Sequence, residues 1–282
     1  MINLFINAIK IIFLLGFLIL IHEGGHFLVA RLCKVKVNEF AIGFGKVIWQ
    51  KQGKETKYSL RIIPLGGFCS MEGEDEKSDS EGSFSKASVW RRMAIVLAGA
   101  FVNILFGILV YFILLSTVGL QFVDPSKDTI LNRIYYGARG TGAFILSVFD
   151  SIKMLVTGGL ATDQMVGIVG ISEVVVQTSG IINYLHLLAV ISVSLGVTNL
   201  LPIPALDGGK ILILLIEIIR RKPMKIETEA KIQLIGFSIL IALSLFVTYN
   251  DILRIGGRFL KWKKKNSRKP CYFLHFVVKY DR

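Results

Sequence analysis

Apolar residues along the chain gather into four long runs separated by polar connections. The runs cover about Leu4 to Val29, Met93 to Leu120, Ile181 to Leu201 and Ile232 to Tyr249. A helix of about 20 apolar residues crosses the hydrocarbon core of a bilayer, so each run predicts a transmembrane helix. A shorter stretch, Ile211 to Ile219, predicts a partial helix that continues the third unit. The connection after the first run has a different period. Alternating stretches at Lys46 to Gln50 and Tyr58 to Ile63 flank the turn-prone Gln52-Gly53-Lys54, and within Phe40 to Phe68 they predict a β-hairpin. Glu72 to Lys86 is acidic and Ser-rich and predicts a mobile loop. Residues 121–140 are too few to form a domain. The expected fold is an α-helical polytopic membrane protein with about four transmembrane helices and a β-hairpin insertion after the first helix. The membrane-embedded domain should cover residues 1–255, with residues 256–282 as a basic tail of unassigned structure.

Composition agrees with this pattern. A hydrophobic content of 53% over 282 residues is too high for an ordinary water-soluble domain. The net charge of +13 invites comparison with nucleic-acid-binding proteins, but Lys and Arg are spread over the connections and form no single basic module. Anionic lipid headgroups are the expected partner, and no nucleic acid is. The first run lacks the early basic cluster and cleavage site of a signal peptide and is read as retained, although Lys10 interrupts it. Cys33, Cys69 and Cys271 show neither a paired framework nor metal-ligand spacing. Basic residues number twelve in 31–92, four in 121–180 and six in 202–231, which places the first and third connections in the cytoplasm. The ten basic residues of Asp251 to Arg282 oppose that placement, and the connections next to the spans carry more weight.

The candidate chemistry lies at the inner end of the first run, in His22-Glu23-Gly24-Gly25-His26. On a helix, His22 and His26 stand one turn apart on one face and can bind one Zn²⁺, while Glu23 reaches a water held there. Zinc lowers the pKa of such a water and polarises a carbonyl, and the carboxylate takes the proton. The motif directly follows eleven apolar residues, Ile11 to Ile21. A charged side chain at that depth costs roughly 2 to 3 kcal/mol unless partners or a cavity compensate, so incidental polar residues are a poor explanation. Two His leave a catalytic zinc site one protein ligand short. Asn199-Leu200-Leu201-Pro202-Ile203-Pro204-Ala205-Leu206-Asp207-Gly208-Gly209 offers Asp207, where Pro202 and Pro204 break the third helix. Alone, an Asp-Gly here would read as a helix cap. Beside H-E-x-x-H in a polytopic chain, it reads as the third ligand.

Together these motifs resemble the site-2 protease family, and within it the bacterial regulator of sigma-E protease branch. The resemblance extends to Phe40-Ala41-Ile42-Gly43-Phe44-Gly45, Pro64-Leu65-Gly66-Gly67-Phe68, Gly99-Ala100-Phe101-Val102-Asn103 and Gly167-Ile168-Val169-Gly170-Ile171. It implies a zinc metalloendopeptidase that cuts single-pass transmembrane substrates, such as a membrane-anchored anti-sigma factor or remnant signal peptides, in the bacterial inner membrane. By that resemblance His22, His26 and Asp207 are zinc ligands, Glu23 is the catalytic base, and Asn199 holds substrate or the active-site loop. Gly66 and Gly67 of the hairpin, with Pro202 and Pro204, share that substrate-binding or loop-positioning role. Members of this branch usually carry a PDZ domain between the second and third spans, which the short connection here does not accommodate. Their Gly-Pro pairs appear as Gly99-Ala100 and Gly167-Ile168. His186 and the glycines Gly16, Gly99, Gly107 and Gly236 read as structural. A zinc transporter would need a series of weak sites along a path, whereas this sequence offers one compact set with a base beside a ligand. An inactive relative would not be expected to keep His22, Glu23, His26 and Asp207 together.

Overall fold

The computed structural model describes residues 2–74, 76, 78–119, 125–157 and 167–264. Its elements, in order, are α1 (Ile2–Leu32), β1 (Val37–Gln52), β2 (Lys57–Met71), α2 (Val89–Leu114), α3 (Ile130–Val156), α4 (Ile168–Gln177), α5 (Ile181–Asn199), α6 (Asp207–Arg220) and α7 (Ile226–Lys264). Four helices are long and apolar enough to cross a membrane, over Phe5–Leu32, Val89–Gly119, Ile181–Asn199 and Ile226–Arg254. The basic tail beyond Lys264, and Cys271 within it, lie outside the described residues.

Two compact units divide the chain. The first comprises Met1–Gly107 and Leu188–Ala242. Its core is small: Ala30, Val35, Val37, Cys69, Met71, Phe84, Ile95, Val96 and Leu214 are buried together. Large apolar side chains such as Phe13, Leu28, Phe101 and Leu105 remain exposed on the spans, as expected for a surface whose solvent is lipid. Close helix approaches rest on glycine. A Cβ on Gly25 would stand 2.6 Å from the Ala98 carbonyl oxygen, and one on Gly196 2.6 Å from that of Ala100. Gly107 meets Ala189 at 2.6 Å in the same way, and Gly236 abuts Pro204, so both are packing points as the sequence indicated. Gly16 is not one, because open space surrounds it.

The hairpin is longer than its alternating stretches indicate. β1 and β2 run 16 and 15 residues and pair antiparallel. Gly43 and Gly45, both at positive φ, break the ladder so that Glu39–Ile42 has partners on two sides, Lys57–Leu60 and Gly67–Ser70. Among the described residues Gly67–Met71 has no second strand partner, so this edge of the layer is open there. The sheet leans on α1 through Phe27, whose ring lies 5.3 Å from that of Phe40 and 6.1 Å from that of Tyr58.

The stretch expected to be a mobile loop is tied down instead. Glu72 accepts hydrogen bonds from Asn38, Ser78 and Ser80, Phe84 is buried, and Lys210 of α6 bonds Glu74 at 2.5 Å. Polar composition hid the buried Phe84 that anchors it.

The second unit comprises Ile108–Leu187 and Leu243–Arg282. It contains α3, a 27-residue helix capped by Thr129, which begins within the stretch, residues 121–140, expected to be too short for a domain. One face of α3 exposes Leu131, Ile134, Tyr135, Leu146 and Phe149. Asp251 of α7 is buried and accepts from the Gly167 and Gly170 N–H groups at 3.0 and 2.8 Å, satisfying the start of α4. Ile168 there is the first helical residue, a position Pro also favours, so its departure from the family's Gly-Pro leaves the helix start intact. His186 sits in an aromatic group, 5.0 Å from the Tyr111 ring, which stacks on Phe144.

Candidate active site

α1 keeps His22, Glu23 and His26 on one continuous helix, so the two imidazoles rise on the same face one turn apart. Both are buried, with ring centroids 4.8 Å apart and nearly perpendicular planes. Their Nε2 atoms stand 3.2 Å from each other. Asp207 meets them from α6, its Oδ2 at 3.1 Å from His22 Nε2 and 3.5 Å from His26 Nε2. Leu206 holds the N-cap position of α6, so Asp207, one residue inside the helix, is not its cap.

The path that delivers Asp207 depends on backbone shape. α5 ends at Asn199 because Pro202 and Pro204 cannot continue it. Ala205 adopts φ 74° and donates its N–H to Gln233 Oε1 of α7 at 2.6 Å. Gly208 and Gly209 press against the carbonyls of Leu201 and Ile203, where any Cβ would collide. These two glycines let α6 turn back onto the loop and aim its first carboxylate at α1. Asn199 comes close too, with Nδ2 3.4 Å from His22 Nε2.

The hairpin reaches the same place. A Cβ on Gly67 would lie 2.8 Å from Ala41 O and 3.4 Å from Glu23 Cγ, so β2 runs directly beside Glu23. Gly66 has φ 142°, and its Cβ would fall on the Phe44 ring. Cys69, two residues further, is a core residue; burial, helped by Glu23 and Glu74, pushes its thiol up to about 12.

α2 supplies what the sequence reading missed. Ile95, Gly99 and Asn103 recur every four residues and make one stripe facing the imidazoles. His26 Nδ1 lies 2.8 Å from Ile95 O, which fixes the proton there and leaves Nε2 for the cluster. Gly99 is not a plain packing point, because a Cβ there would clash with His26 Nε2 and stand 2.9 Å from His22 Cε1. Asn103 is fully buried with its amide 3.4 Å from His22 Nδ1. The signal available was an Asn inside an apolar span, which is expensive unless used.

The ligand atoms of His22, His26 and Asp207 all lie within 4.8 Å of one another, and no other such group occurs among the described residues. Asp207 Oδ2 is buried without a well-directed hydrogen-bond donor. Two imidazole nitrogens and a carboxylate oxygen converging on one point suit Zn²⁺, which accepts such mixed N and O donors and keeps a further position open in catalytic sites. Fold and site together define an integral, multi-pass membrane protein with a zinc hydrolase centre. The chain belongs to Peptidase family M50, whose profile matches residues 10–243. It is an intramembrane zinc metalloprotease of the site-2 type. A Clostridium acetobutylicum protein whose name provisionally assigns it as a zinc metalloprotease is 31% identical, over 88% of this chain and 98% of its own length. The zinc metalloprotease RasP of Bacillus licheniformis is 27% identical, over 88% and 99%. The regulator of sigma-W protease RasP of Bacillus subtilis is 25% identical, over 89% and 100%. That last alignment spans 423 positions against 282 residues here, so the relative carries substantial insertions that this chain does not.

Proposed function

We propose that this protease hydrolyses peptide bonds within single-pass transmembrane segments, with His22, His26 and Asp207 as zinc ligands, Glu23 as base and Asn199 as a donor to the substrate. The membrane-embedded part, residues 1–255, acts as the catalytic domain. The observation that carries the substrate reading is the approach of Gly67 to Glu23, since it sets an open sheet edge beside the candidate base. A helix that unwinds loses its internal hydrogen bonds. Adding it as a strand along Gly67–Met71 replaces them and feeds its carbonyls past Glu23. Exposed Phe44, Ile48, Trp49, Ile62 and Ile63 give the sheet an apolar surface suited to lipid or to a transmembrane segment.

Zinc, when bound, supplies Lewis-acid polarisation of the scissile carbonyl and lowers the pKa of water. Glu23 accepts a proton from the water whose oxygen attacks the carbonyl carbon. It returns that proton to the nitrogen as the C–N bond breaks, leaving a carboxylic acid and an amine, between which the remaining proton then passes. Asn199 Nδ2, beside His22 Nε2, is placed to donate to the carbonyl oxygen as charge grows there.

Without a PDZ domain between the second and third spans, substrate choice rests on the membrane part. Substrates with short outer portions are accepted, and the ease of unwinding beside the hairpin sets the rate. Anti-sigma factors and remnant signal peptides have this form. A proline lowers the cost of opening a helix by about 3 kcal/mol, roughly a hundredfold in rate. In vesicles, one transmembrane segment with a central Pro should therefore be cut about a hundredfold faster than its Ala version, and a bulky outer domain should slow both. Equal cleavage of all four combinations would defeat this reading.

We place the protein in the bacterial inner membrane with the site toward the cytoplasm, because the connection that follows His26 holds most of the basic residues between spans. Asp79 is fully exposed in that connection. In cells carrying Asp79→Cys together with Cys271→Ser, an impermeant thiol reagent should label only after the membrane is opened. Labelling of intact cells would invert the topology.

A further inference from the structure

We propose that Asn103 is the positioning residue of His22, its carboxamide oxygen accepting the Nδ1–H so that Nε2 is presented to zinc. This rests on the reading of His22 as a ligand.

A neutral imidazole carries one N–H, and the nitrogen that binds metal must be the bare one. His22 Nε2 is the nitrogen that converges on His26 Nε2 and Asp207 Oδ2, so its proton sits on Nδ1. His26 solves the same problem with the main chain, through Ile95 O at 2.8 Å. For His22 the atom 3.4 Å from Nδ1 is Asn103 Nδ2, which is also a donor. Two donors facing each other do not bond. Meanwhile Asn103 Oδ1 is buried with no hydrogen-bond partner among the described residues. A half-turn of the carboxamide leaves its shape unchanged and resolves both faults, putting Oδ1 in front of the Nδ1–H. The residue has no freedom to serve elsewhere. It is fully buried, and its main-chain carbonyl is held by Ser192 Oγ of α5 at 2.8 Å, with Ser192 itself fully buried. Groups that orient a metal-binding imidazole in this way typically change metal affinity 10- to 100-fold when removed.

The test compares two replacements of nearly equal size in the full-length protein in detergent. Asn103→Leu removes the acceptor, and Asn103→Asp keeps it while removing the donor. Zinc affinity, measured by competition with a chelator, should fall about 10- to 100-fold in Asn103→Leu and stay within a few-fold of the parent in Asn103→Asp. Co²⁺ substituted for zinc should give an altered visible spectrum only in the Leu variant. If Asn103→Leu does not fold, the Asp variant still decides, since loss of zinc from folded Asn103→Asp would overturn the proposal. Parental zinc affinity in Asn103→Leu would overturn it as well. Should His22→Ala lose zinc while Asn103→Leu does not, the ligand reading stands and the positioning role alone is wrong.

Discussion

Replacement of Glu23 by Gln is expected to abolish proteolysis while leaving zinc bound. Gln keeps the size of the side chain and its place beside Gly67 of β2, so the helix and the hairpin are undisturbed. What it loses is the ability to take a proton. General-base assistance is worth roughly 10²- to 10⁴-fold in rate, and a membrane site has little bulk water to replace it. The contrast is Asp207→Asn. Here one of only three candidate protein ligands is weakened, and bound zinc itself should fall. Metal analysis and cleavage of one transmembrane substrate, measured on both variants, separate a base from a ligand. Substantial turnover by Glu23→Gln would remove Glu23 from its role. Full zinc in Asp207→Asn would place the third ligand elsewhere.

Gly99→Ala should be nearly as damaging, for a steric reason. α2 approaches α1 closely where Gly25 faces Ala98, and a Cβ on Gly25 would stand 2.6 Å from the Ala98 carbonyl oxygen. The two helices therefore bring residue 99 against the imidazoles. A methyl group at 99 would stand 2.3 Å from His26 Nε2 and 2.9 Å from His22 Cε1, too close to either ring. The imidazoles would have to turn away, and with His26 Nδ1 bonded to Ile95 O that means breaking a buried hydrogen bond. Ala is the better helix former by about 1 kcal/mol, so α2 itself should lose no helical stability. Zinc content and activity should fall together, while expression and helical content stay near the parent. Gly16→Ala is the matched control, since nothing lies within 4 Å of that Cβ, and it should be silent. Normal zinc binding in Gly99→Ala would show that the site tolerates the methyl group and that residue 99 only packs helices.

Much of the architecture is legible in one dimension because it is encoded in one dimension. A span is a run of apolar residues of fixed length, and all four runs became helices of that kind. H-E-x-x-H states its own geometry, because the helix places residues four apart on one face. Pro202 and Pro204 end α5 by local stereochemistry alone.

Features that depend on distant partners were not legible. The strands outran their alternating pattern because Gly43 and Gly45 bend β1 and let Glu39–Ile42 bond on both edges. Gly137 and Gly140 of α3 sit against Ser116 and Leu115, contacts that no local pattern records. Glu72 to Lys86 looked mobile because its anchors, Asn38 and Lys210, belong to other elements.

The site divides in the same way. Sequence singled out the candidates for the chemistry, namely His22, Glu23, His26 and an Asp following a broken helix, since each is marked by polar chemistry where apolar residues belong. Only the tertiary structure decided that Asp207 faces the imidazoles from 181 positions away rather than capping α6, that Gly99 leaves room for His26, and that Asn103 stands behind His22. Periodicity specifies which face a residue occupies, but the meeting of two faces is fixed by packing between helices, which no local pattern records.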